Sequence, residues 1–247
     1  ASISRNRALA ELEQAIKLEP NNPKFYLLQA KVLLDQDKST EGAKAAFAAL
    51  ERDKDAISQV LAMSDEFYLP HAKAVYSKII QMGTKEILPY VGLGNIALHS
   101  GEIPEAEKWF SQAREIDAEH PAVLLAWGRL TAAQAKLQSD EARAKNQLQE
   151  AREFLEKSKS KGEDSATIHS ELGEIYLRLQ MWDKAAASYE EALRLRRRRN
   201  DWRRILGQAY AQLGRTGEAE RKFREVLAFS PDDVEAWRGL QSIGKKY

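Results

Sequence analysis

The 247-residue sequence contains no cysteine. A disulfide framework, a thiolate metal site and a cysteine nucleophile are therefore excluded, and the absence fits an oxidising compartment as well as a reducing one. Long hydrophobic runs are missing too. Ile87 to Leu98 is among the longest uncharged stretches, and it falls well short of the roughly 18 to 20 apolar residues of a membrane span. Neither sign of charge is in excess, with 38 Lys+Arg against 37 Asp+Glu. A dedicated nucleic-acid binder shows a broad basic face, and this chain does not. Glycine and proline are sparse, at 13 and 7. What remains is 43% hydrophobic and 30% charged, enough apolar material to bury a substantial core, which excludes a disordered chain.

The residues present are dominated by Ala, Leu, Glu, Lys, Arg and Gln, the composition of helices joined by short turns. Aligned with itself, the chain shows a fixed period. Leu172, Gly173, Tyr176, Ala185, Tyr189 and Ala192 recur, each 34 residues on, as Leu206, Gly207, Tyr210, Ala219, Phe223 and Val226. Leu93, Gly94, Ala97, Ala106, Phe110 and Ala113 repeat the same internal spacing earlier. The glycines and alanines are small where two antiparallel helices must approach closely, and the Leu, Tyr and Phe side chains fill the layer between them.

This pattern resembles the tetratricopeptide repeat, a 34-residue helix-turn-helix unit. The resemblance implies an all-α fold, a right-handed superhelical solenoid of such repeats, in which each unit buries its apolar face against its neighbours. Registering the whole chain gives one array over residues 1–247: a half repeat at 1–22, repeats at about 23–52, 53–86, 87–120, 121–165, 166–199 and 200–233, and a terminal helix at 234–247. Because the register opens on a lone second helix and closes on a lone first one, the array is expected to be a section of a longer solenoid. The unit at 53–86 is degenerate, with Val60 and Met63 where Gly and Tyr are usual. The unit at 121–165 is extended: Gly128 and Ala151 stand 23 residues apart where the other units have 12. Eleven extra residues are about three helical turns, which preserves the facing of the apolar stripe. Ser139 or Asp140 is placed to cap the longer second helix.

A competing motif is present. Ile87 to Val91 followed by Gly92-Leu93-Gly94-Asn95-Ile96-Ala97 reads as a strand and the G-x-G-x-x-A turn of a dinucleotide fold. Gly94 is equally the repeat's close-approach glycine, and no second strand-helix unit follows, so the repeat reading takes precedence. His71, His99, His120 and His169 lie apart with no H-E-x-x-H spacing, and neither a nucleophile elbow nor a P-loop lysine occurs. No enzymatic activity, cofactor or metal is expected.

Two surfaces are candidates for partner binding. The resemblance implies that positions 2, 5, 9, 12 and 13 of each first helix line a groove holding a partner's peptide or helix. Here those positions include Leu27, Leu34, Ile57, Leu61, Leu88, Val91, Asn95, Leu98, Leu125 and Arg129, whereas later units supply Ser170, Glu174, Arg178, Arg204, Gln208 and Arg238. The leucines are open to a second reading, as core of the array itself. The acidic-tail clamp known in one subclass is absent, since only Asn95 matches while Val91, Ala126, Thr167 and Glu171 fill the other clamp positions. The second surface is Arg194, Arg196, Arg197, Arg198, Arg199, Arg203 and Arg204, seven arginines in eleven residues, suited to an anionic partner or polymer or simply to a helix C-terminus. Trp127 and Trp237 fall at core positions; Trp109, Trp182 and Trp202 fall near helix edges, where they can act as exposed anchors.

The resemblance thus implies a non-enzymatic protein-protein interaction scaffold. An alternative of another class is a periplasmic component of a bacterial exopolysaccharide export system that recruits modifying enzymes or escorts polymer. The compartment, cytoplasmic or periplasmic, is open.

Overall fold

The computed structural model describes residues 2–63, 69–162 and 164–244. These residues form fourteen α-helices and one short 3-10 turn, with no strand among them. The helices are α1 Ser2–Leu18, α2 Pro23–Leu34, α3 Ser39–Arg52, α4 Ile57–Ala62, α5 Leu69–Gln81, α6 Leu88–His99 and α7 Ile103–Ile116 in a first compact unit. A second unit holds α8 Pro121–Leu137, α9 Glu141–Ser160, α10 Ala166–Arg178, α11 Trp182–Leu195, α12 Asn200–Gln212, α13 Thr216–Phe229 and α14 Val234–Gly244. The fold is all-α, a repeat solenoid of paired helices in each unit.

Local chemistry sets the ends. Asn22 caps α2 by accepting from the Lys24 N–H, with Pro23 supplying a first-turn residue that needs no hydrogen bond. Asp140 caps α9 through the Arg143 N–H at 3.1 Å, and Ser165 caps α10 through the Ile168 N–H. The first helices of four pairs close alike. Asp37, Gly101, Gln180 and Gly214 all adopt left-handed backbone, with φ of 58°, 78°, 57° and 72°. The N–H of the next residue then returns to a carbonyl five back: Lys38 to Leu33, Glu102 to Ala97, Met181 to Tyr176 and Arg215 to Tyr210, at 2.8 to 3.0 Å. This is a Schellman closure, which satisfies carbonyls the helix leaves open and turns the chain back for the second helix.

Packing follows the repeat pattern. α2 lies on α3, α6 on α7, α8 on α9, α10 on α11 and α12 on α13, and within each unit successive pairs stack. The close-approach glycine is a steric requirement. A Cβ on Gly94 would stand 2.2 Å from the Phe110 ring; the residues that mimic a dinucleotide turn belong to helix α6, not to a strand–helix junction. Phe110, Phe223, Leu155, Leu50 and Val75 are completely or almost completely buried. The degenerate stretch from 53 forms a 3-10 turn, Lys54–Ala56, and the six-residue α4. The extended pair gives the two long helices α8 and α9, of 17 and 20 residues.

Candidate functional site

In the first unit, most of the apolar positions assigned to the groove are core. Leu27, Leu34 and Leu61 are at most 7% exposed and belong to one hydrophobic cluster. Leu34 shows why: it occupies the space over Gly42 of α3, where a Cβ would come within 2.9 Å of its side chain. Ile57 packs against the same cluster while partly exposed, and Val91 is buried at 8%. On α6 the face opens. Leu88 is 47% exposed, and Asn95 and Leu98 are half-buried. The sequence reading missed Leu28, beside the buried Leu27, which is 52% exposed.

In the second unit the first-helix face is ionic. α8 and α10 touch, and Arg129 donates to Glu171 at 2.7 Å with both side chains about three-quarters buried. Burial pushes the Glu171 carboxyl above its ordinary value against the pull of Arg129. One turn along, Lys136 pairs with Glu174 at 2.7 Å, and Arg178 donates to the Ala132 carbonyl. Leu125 is partly buried against the core beneath. Charges in this wall are largely satisfied from within it.

The seven arginines separate into two classes. Arg194 chelates Glu191, Arg199 pairs with Asp201 at 2.5 Å, Arg203 reaches Glu225 at 3.7 Å and Arg204 reaches Asp233 at 3.8 Å. Hydrogen bonds from Arg194 and Arg199 hold the Glu191 and Asp201 carboxyls below the usual range. Arg199 also lies 4.2 Å over the ring of Trp202. Arg196, Arg197 and Arg198, exposed on the non-helical link between α11 and α12, have no carboxylate partner among the described residues. Next to them Arg198, Asn200, Arg203 and Phe229 line a hollow of about 510 Å³. Its apolar wall is Phe229, 71% exposed, with the Arg203 guanidinium 5.7 Å from the ring. Two tryptophans differ from expectation. Trp202 is 6% exposed, part of the second unit's hydrophobic cluster with Arg199 over its ring, and Trp237 is 51% exposed, its indole N–H donating to the Pro231 carbonyl.

Among the described residues no cluster of His, Cys, Asp or Glu is arranged to hold a metal ion. No helix there is long and apolar enough to cross a membrane.

The family model for the tetratricopeptide repeat matches residues 5–57 and 170–234, and the helix pairs and close-approach glycines of both units follow that motif. Residues 5–57 and 170–234 carry tetratricopeptide repeats. Solved structures agree on the fold. The Cut9–Hcn1 hetero-tetramer of the APC/C is similar with a TM-score of 0.67 at 21% identity over 97% of this chain, which spans only 46% of that one. A thermophilic tetratricopeptide-repeat protein of Thermus thermophilus gives 0.56 at 20% identity, covering 76% of this chain and 94% of its own. YrrB, described as a tetratricopeptide-repeat protein with an unusual peptide-binding site, gives 0.50 at 16% identity, over 93% of this chain and 97% of its own. No curated protein matches in sequence.

Proposed function

We propose that this tetratricopeptide-repeat chain is a non-enzymatic scaffold that holds a segment of a protein partner against its first-helix faces. The observation that carries the reading is the face of α6. Leu88 stands half in solvent with the half-buried Asn95 and Leu98 farther along the same helix, although the hairpin core beneath is already filled by Leu93, Ala97 and Phe110. Apolar surface kept in solvent beyond the needs of the core marks an interaction site, and a mixed apolar and amide strip suits a short extended or helical segment. YrrB, of similar fold, is described as binding peptide.

A displayed peptide library tests it. The parent chain is expected to enrich a common apolar pattern that the Leu88→Asp and Leu98→Asp variants no longer retain. Equal enrichment by parent and variants removes the α6 face from the proposal.

A further inference from the structure

The unpaired arginines and the hollow beside them form a second surface, at the α11–α12 link, the start of α12 and the end of α13. Three cations sit on successive residues of a non-helical link, Arg196 to Arg198, while each of the four arginines around them lies within ion-pair distance of Glu191, Asp201, Glu225 or Asp233. Independently of charge, Phe229 keeps 71% of its surface in solvent at the C-terminal end of α13. The two features meet in the hollow lined by Arg198, Asn200, Arg203 and Phe229. Arg203 is fixed there by donating to Asn200 Oδ1 and to the Arg197 carbonyl, which holds the link against the start of α12. The apolar wall is thus anchored beside a row of free guanidinium groups.

We propose that this hollow docks an acidic segment of a protein partner, with one apolar side chain on Phe229 and neighbouring carboxylates on Arg196, Arg197 and Arg198. Guanidinium groups bind carboxylates through two parallel hydrogen bonds, and a central apolar anchor ringed by charge is the usual anatomy of a peptide site. The charge distribution selects among anionic partners. Residues 166–247 hold 16 basic and 12 acidic residues, a surplus of four, so the positive potential is local. Exposed Asp232 follows Phe229 closely in sequence and opposes a polyphosphate backbone extending that way. A recess of about 510 Å³ accepts one or two side chains, which a flat membrane surface does not offer. The proposal rests on the scaffold reading for its class of partner but uses different residues, so Leu88→Asp leaves it intact and its failure leaves the α6 face untouched.

The test uses a fluorescent synthetic peptide of alternating Asp or Glu and Leu or Phe, titrated against the full chain by anisotropy. Binding is expected to weaken about tenfold when Arg196, Arg197 and Arg198 are all replaced by Gln, and to fall steeply as salt is raised from about 50 to about 200 mM. A control triple, Arg5→Gln, Arg7→Gln and Arg224→Gln, removes the same charge elsewhere and is expected to stay within about twofold. Phe229→Ala, at an exposed side chain whose loss melting curves can show to be harmless, is expected to weaken binding about fivefold without changing the salt slope. No binding by the parent chain, equal loss in the control triple, or an unchanged Phe229→Ala variant overturns the proposal. Tighter binding of a single-stranded oligonucleotide or of anionic vesicles than of the peptide overturns it as well.

Discussion

Tyr176 of α10 donates its hydroxyl proton to Glu156 of α9 at 2.5 Å, joining one helix pair to the next. One period later Tyr210 of α12 donates to Glu190 of α11 in the same way. In both places a cation covers the ring, Lys184 at 5.7 Å and Arg215 at 4.4 Å. The clasp is therefore a repeated feature of the second unit, built on the tyrosine that the 34-residue motif supplies.

Burial, reinforced by Glu156, pushes the Tyr176 hydroxyl up from 10.0 to about 12. A raised value means that the folded chain favours the neutral phenol. Its contribution is complete below about pH 10 and is lost as pH rises through about 12. Tyr176→Phe is expected to cost about 1 kcal/mol at neutral pH, a fall of roughly 2 to 4 °C in Tm, and the gap to the parent is expected to close in alkali. Far-UV circular dichroism melts at both pH values check this; a gap that stays constant would assign the tyrosine to packing alone.

The four left-handed helix closures give a prediction with opposite signs. Gly101 and Gly214 occupy that backbone freely, whereas Asp37 and Gln180 hold it at φ near 58° with a Cβ present. Left-handed backbone costs a residue with a Cβ about 1 kcal/mol or more. Gln180→Gly is expected to raise Tm, less the greater chain entropy glycine carries when unfolded, and Gly214→Ala to lower it. Gly217→Ala on α13, where an added Cβ meets nothing within 4 Å, is expected to be neutral or slightly stabilising, by up to about 1 kcal/mol. Parallel thermal melts decide all three.

How much of this was legible in the sequence depended on what each residue must satisfy locally. Gly94, Gly173 and Gly207 could be read directly, because an aromatic ring from the second helix lies over each and excludes a side chain. The cap of α9 was legible as Ser139 or Asp140, and Asp140 fills it by accepting from the Arg143 N–H. The groove was less so. Repeat register puts Leu27, Leu34 and Leu61 on the wall by position, but whether a leucine faces outward depends on what its neighbours leave open. Gly42 opens a space that Leu34 fills, and Leu61 of α4 lies in the same buried cluster. Trp202 and Trp237 exchanged their expected environments because coverage of an aromatic is decided by the neighbouring helix, which no single repeat encodes. Asp37 and Gln180 lacked the glycine that signals a left-handed turn.

The Arg129–Glu171 pair carries a pH prediction. Burial raises the Glu171 carboxyl, so its ionisation opposes folding; the contribution of the neutral acid is present below the ordinary carboxylate value and is lost as pH rises through the raised one. The difference in Tm between Glu171→Gln and the parent is thus expected to shift in favour of the variant from about pH 4 to about pH 7. Glu171→Ala instead removes the carboxylate to which the largely buried Arg129 donates and is expected to cost about 1 to 3 kcal/mol at neutral pH. If the Gln variant loses ground as pH rises, the ion pair outweighs burial.

Leu61, Val91 and Leu88 separate core from binding face. Leu61 and Val91 are 7% and 8% exposed, and a carboxylate at either place is buried. Leu61→Asp with Val91→Asp is expected to cost about 3 kcal/mol or more per site, a drop of roughly 10 °C or more in Tm, and to remove peptide capture only through loss of structure. Leu88 opens α6, 47% exposed, where the first turn holds no acidic residue and no side-chain cap. An aspartate there meets the positive end of the helix dipole, so Leu88→Asp is expected to hold Tm within a few degrees. It is nonetheless expected to abolish retention of the library peptides, since an apolar contact is replaced by a charge. A variant that melts like the parent and still retains the peptides would move the binding face off α6; one that melts early would make Leu88 core and leave the first unit without an apolar contact at that position.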